Sequence, residues 1–274
     1  MVKLSCPDFT FPLMSHNHVL QLVRMLGFKG IDIGLFEGIS HLQPSDQLNH
    51  PKRSARLLQR KLDDAGLTMT DLFLDLNGVG YVTNHPYPQR RRKARDLFLK
   101  ALEYACVCGS KHMTSLPGLA FKCERRNDSF ERCADELAWR IEQAQAHRIV
   151  FSVEPHIGAI IQTTKQSEKM VAQVPGLTLT MDYGHFIAMG MADSACEQLL
   201  AYTSHFHVRG SCKGRVQCSF KENAIDFKRV VKLLKKHDYR GWLCIEYVWD
   251  TWKNCNECDT ISETILYRDY LRSL

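Results

Sequence analysis

The chain lacks any run of about 18 uninterrupted apolar residues, and its opening stretch MVKLSCPDFTFPLMSHNH contains no long apolar segment. Neither a membrane span nor a secretory signal is therefore expected, and the expected address is the cytoplasm. Low-complexity tracts, Pro/Gly/Ser-rich linkers and short repeats are also missing, which argues against disorder and against a string of small domains. No G-x-G-x-x-G or G-x-x-x-x-G-K-[ST] follows a strand-like run, so the common nucleotide signatures are excluded. Cysteine is not scarce, but the eleven residues are odd in number and scattered, unlike a disulfide framework. Cys106, Cys133, Cys196 and Cys244 fall in apolar segments, where a reduced thiol behaves as a small hydrophobe. Cys255 and Cys258 have zinc spacing without an evident second pair, and are read as incidental.

What is present is ordinary globular material: 274 residues, 45% apolar and 24% charged, enough for one large α/β unit. The net charge of +6 leans weakly toward anionic partners. Its densest patch, QRRRKAR at 89–95, opens a long helical pattern and reads as a solvated basic helix face rather than a phosphate contact.

Short β-type runs alternate with longer amphipathic ones: VKLSC, GIDIGLF, LTMTDLFL, KHMTSLPG, RIVFSVEPH, LTLTMDYGH, SHFHVRG and WLCIEYVW are each followed by a helical pattern. Eight such pairs without a composition break predict a single domain over 1–274, an α/β (β/α)8 barrel. Glycines in MLGFKGIDIG, DDAGLTMTDL and DYRGWLCIEY suit left-handed helix caps before strands.

Four late strands end in ligand-type residues: Glu154, Asp182, His207 and Glu246, spaced 28, 25 and 39 residues apart. A barrel brings the carboxyl ends of its strands to one face, so these side chains are expected to converge. Alternation puts Glu154 with His156, and His205 with His207 and Arg209, on one side, leaving Phe206 and Val208 for the helices. Three gathered carboxylates repel unless a cation offsets them. One divalent cation is therefore expected: Mn2+ first, with Mg2+ and Co2+ suited to the same oxygen-rich set and Zn2+ compatible with the ligand types.

Over VEPHIGAIIQTTKQSEKMVAQVPGLTLTMDYGHF, HFHVRG and NAIDFKRVVKLLKKHDYRGWLCIEY the chain resembles the xylose-isomerase-like superfamily of sugar isomerases and epimerases, which also holds apurinic endonucleases and dehydroshikimate dehydratases. The resemblance implies Glu154, Asp182, His207 and Glu246 as metal ligands. It implies His156, His185 and Arg209 as substrate contacts. A small sugar or keto substrate would exchange a proton next to its carbonyl, with Glu154 and Glu246 as the acid and base pair. Copies of the chain could associate as a homo-oligomer. One departure stands out, since many members read H-x-K-D where this chain has His207, Val208, Arg209 and Gly210. A metal-dependent lyase of the same fold is the alternative. A nuclease would need more ligands than the early strand ends offer in Asp71, Asp75 and His112, and a silent binding barrel is the remaining option.

Overall fold

Eight parallel strands pair in sequence order and close on themselves: β1 Leu4–Pro7, β2 Gly30–Phe36, β3 Thr68–Asp75, β4 His112–Ser115, β5 Val150–Val153, β6 Thr178–Asp182, β7 Thr203–Val208 and β8 Leu243–Ile245. The structure, a computed structural model, describes residues 2–274. Closure runs through Leu4 against Leu243 and Ser5 against Cys244. The helices are α1 His16–Met25, α2 Pro44–Gln47, α3 Pro51–Ala65, α4 Pro88–Val107, α5 Arg126–Ala146, α6 Thr164–Gln173, α7 Tyr183–Ala188, α8 Asp193–Cys196, α9 Phe227–Lys236 and α10 Thr260–Arg272. The expected (β/α)8 barrel is therefore the fold.

Local chemistry sets most boundaries. Thr163 and Gln166 form a reciprocal capping box at α6, and Asp226 and Asp259 accept backbone N–H groups at the starts of α9 and α10. Gly66 ends α3 at φ 66°, the left-handed cap expected there. Gly241 serves differently: Asp238 takes the positive φ of 53°, while a Cβ at Gly241 would stand 2.5 Å from the Ser204 carbonyl. The N-cap of α1 is Ser15, and His16 meets buried Asp8 at 3.1 Å.

Strand alternation holds where it matters. Phe206 and Val208 face the helix layer in the apolar core with Met181 and Ile245, while His205 and His207 turn into the barrel. The basic run is only partly solvated. Arg91 and Arg95 lie 3.2 and 3.0 Å from buried Glu136, which also pairs with Arg140. Cys106 is exposed whereas Cys133, Cys196 and Cys244 are buried, and all eleven thiols are free. Among the described residues no helix is long and apolar enough to cross a membrane.

Candidate active site

Asp182 closes β6 and His207 stands beside it in register on β7. Glu154 follows β5, its N–H donating to the Ser115 carbonyl at 3.1 Å, and Glu246 follows β8, its N–H donating to Val208 at 2.9 Å. The ladder thus carries each side chain to the same end of the barrel, and all four are no more than 4% exposed.

His207 is the hub. Its Nδ1 lies 2.7 Å from Glu154 Oε1 and 3.5 Å from Glu246 Oε2. Donor atoms of Glu154, His207 and Glu246 all fall within 4.8 Å of one another, as do those of Glu154, His156 and His185. Asp182 joins the cluster through other partners: Oδ1 accepts the Gly184 N–H at 2.7 Å, capping α7, while Oδ2 accepts from Arg209 and lies 3.5 Å from His185 Nε2. Arg209 also stands 3.2 Å from Glu246 Oε2 and donates to His185 Nε2 at 3.2 Å. Because a guanidinium only donates, His185 carries its proton on Nδ1.

Burial and charge then separate the carboxyls. Burial pushes Glu246 up to about 7 against the pull of His207 and Arg209, with Glu154 and Asp182 adding to the rise. Burial also works against ionised Glu154, yet the hydrogen bond and charge of His207 hold it below its ordinary value. For His207 burial is outweighed by Glu246 and Glu154, which raise it to about 10. Burial and the neighbouring His156 and Arg209 keep His185 neutral, its pKa shifted well below the usual imidazole range.

Below this layer, Asp32 accepts from His205 at 2.6 Å and from Thr70, and His112 pairs with Asp71 at 2.6 Å. Asp71 and His112 are thus spent on each other inside the barrel. Asp75 sits at the end of β3 with its carboxyl raised by burial.

The walls are aromatic. Phe73 packs 5.7 Å from the His207 ring, with Phe36 and Phe9 beyond it. Opposite, Trp252 stacks on His156 at 5.2 Å, and His156 lies 4.0 Å from His185.

The sequence profile of the xylose isomerase-like TIM barrel family matches residues 20–270. The chain belongs to that family. Among curated relatives, this barrel is 24% identical over 290 aligned positions to inosose dehydratase of Mesomycoplasma hyopneumoniae (strain 7448), covering 95% of this chain and 89% of the relative. It is 29% identical to the putative L-ribulose-5-phosphate 3-epimerase SgbU of Escherichia coli (strain K12), over 57% of this chain and 58% of the relative. Of solved folds, D-psicose 3-epimerase from Clostridium cellulolyticum H10 superposes with a TM-score of 0.77 at 16% identity, covering 99% of each chain.

In this xylose isomerase-like barrel, three of the four expected ligands gather, Glu154, His207 and Glu246, while Asp182 turns to Arg209. His156, His185 and Arg209 line the same end. Sequence reasoning missed Phe9, Phe36 and Phe73, although Phe73 shares a strand face with Asp71 and Asp75 in TDLFLDLNG and could have been found by alternation. Glu37 accepts a hydrogen bond from the Ser45 hydroxyl at the start of α2.

The donor set fits a divalent cation. Two carboxylates and one imidazole converge, His207 shedding its proton to become a ligand, and Glu246 Oε2 has no hydrogen-bond partner among the described residues.

Proposed function

We propose that the chain is an isomerase or epimerase of small keto-sugars that transfers a proton at the carbon next to the carbonyl. The observation that carries this reading is a pair of buried carboxyls that flank His207 at the barrel's strand ends, Glu154 at 2.7 Å and Glu246 at 3.5 Å. Glu154, His207 and Glu246 would hold a divalent cation, Mn2+ first, which when bound polarises a carbonyl and offsets charge developing on oxygen.

Glu154, ionised, is the base that takes the proton. Glu246, still protonated near neutrality, is the acid that returns one to the other face, which inverts the carbon. Arg209 and His185 orient the substrate oxygens, and His156 with Trp252 walls the mouth. Because the side chains are buried, these groups act at an effective dielectric below that of water.

A second reading is favoured by the inosose dehydratase relative. The same base would start the reaction, and the Glu246 proton would go to a departing β-hydroxyl, releasing water instead of an epimer. A polynucleotide substrate draws no support, since Arg91 and Arg95 of the basic run are occupied by Glu136.

The test is incubation with ketoses, inososes and keto acids in D2O with Mn2+. Deuterium at the carbon beside the carbonyl without loss of water supports the epimerase, and dehydration supports the second reading. No exchange on any substrate of the panel counts against both. E154Q and E246Q should each lose at least about 100-fold in exchange rate with an unchanged circular dichroism spectrum.

A further inference from the structure

The end of β3 holds a carboxyl that the proposed reaction does not use. Alternation along this strand sends Leu72 and Leu74 into the helix-facing core, which turns Asp71, Phe73 and Asp75 into the barrel. Two of that inner row are fixed by contact: Asp71 pairs with His112, and Phe73 packs on the His207 ring. Asp75 is the third, at the rim. It stands in register with Phe36 of β2, whose ring packs on Phe73 at 4.9 Å. Two residues of strand rise set Asp75 about 6.6 Å above Phe73, a separation that a small sugar spans.

Its surroundings supply a free acceptor and no cation. Oδ1 accepts the Asn77 N–H at 2.8 Å, while Oδ2 of this half-buried side chain makes no hydrogen bond among the described residues. Burial raises the carboxyl, the Asn77 N–H and the charge of His156 draw it down, and no lysine or arginine among the described residues joins them. His156 belongs to the opposite wall, under Trp252. Arg209 already contacts Asp182 and stands 3.2 Å from Glu246. A phosphate at the rim by β3 would therefore meet a carboxylate and phenyl rings, whereas a hydroxyl there would meet an acceptor.

We infer that Asp75 sets substrate specificity: its free oxygen accepts a hydroxyl at the end of the substrate remote from the reacting carbon, so the site takes an unphosphorylated sugar or cyclic polyol ketone and rejects the phosphate ester. This rests on the reading of the mouth as a keto-sugar site. Hydrogen bonding to a charged oxygen favours the hydroxyl, and repulsion between two anions disfavours the phosphate. One side chain thus supplies both the attraction and the rejection.

The experiment offers ketopentoses and ketohexoses, each free and phosphorylated at the terminal carbon, together with inososes, to the Mn2+-loaded protein. Calorimetry reads Kd and deuterium exchange reads kcat/KM. The free sugar of the best-bound pair should bind at least about tenfold more tightly than its phosphate. D75N keeps an acceptor for the Asn77 N–H and removes the charge, so it should narrow that preference at least about tenfold, chiefly by tighter binding of the phosphate. D75A, which also loses the acceptor, should weaken binding of the free sugar at least about tenfold. A role confined to the turn at Asn77 would weaken both members of a pair together and leave their ratio unchanged. A preference for phosphate esters in the unaltered chain overturns the inference, as does an unchanged ratio in both folded variants. If nothing on the panel binds or exchanges, the keto-sugar reading falls and takes the inference with it. Exchange on free sugars that is indifferent to residue 75 leaves that reading standing and sinks only the inference.

Discussion

At the residue scale, Glu154 and Glu246 are one side-chain type made different by neighbours. Glu154 has His207 at hydrogen-bonding distance, whereas Glu246 Oε2 is buried with His207 at 3.5 Å and no hydrogen bond of its own. A carboxyl raised to about 7 while no cation is bound must give up its proton to become a ligand, so Mn2+ affinity should strengthen as pH rises through about 7. Glu154, held low by His207, needs no such step. A Mn2+ affinity that stays flat between about pH 6 and about pH 8 would take Glu246 out of the ligand set. The identity of these residues was legible in the sequence as polar ends of late strands. Their different surroundings were not, because they depend on which carboxylate oxygen hydrogen-bonds the imidazole and which stands 3.2 Å from Arg209 without a hydrogen bond.

At the element scale, β7 shows how far periodicity reaches. HFHV alternates, and the structure puts Phe206 in the helix-facing core and His207 in the barrel. Phe206→Ala should therefore cost about 3–5 kcal/mol of stability, measured by chemical denaturation, while leaving Mn2+ affinity within a factor of about two. A loss of Mn2+ affinity in the folded variant would show that the two faces of β7 are not independent. The DYRG turn was legible only in part: a break before β8 was expected at Gly241, but the left-handed residue is Asp238, and Gly241 is needed for its closeness to Ser204. The short helix α7, which seats His185, was not anticipated at all. It starts because Asp182, at the end of a strand, also caps a helix.

At the scale of the whole molecule, the barrel concentrates charge in its interior, and stability should register it. His207 is raised from 6.5 to about 10, so its contribution is complete below pH 6.5 and is lost as pH climbs to 10. Glu246, raised from 4.5 to about 7, likewise binds its proton better in the folded state, so its contribution is lost as pH rises from 4.5 to about 7 and the decline above that is left to His207. Glu154 has the opposite sign, its contribution present above 4.5 and lost only in acid. The metal-free protein should thus show a Tm that falls between pH 7 and 10, and H207Q should flatten the decline. A Tm that holds or rises across that range would contradict the charge balance drawn here.

Read without coordinates, the order of strands and helices already determined a closed barrel and named Glu154, Asp182, His207 and Glu246, because period and strand-end polarity are local properties of the chain. Tertiary structure alone decided that three of those four converge while Asp182 is held by Arg209, that Asp71 and His112 pair with each other, and that Phe73 walls the site. Those outcomes depend on distances between strands remote in sequence. Electrostatics and packing choose among partners there, and no spacing along the chain records the choice.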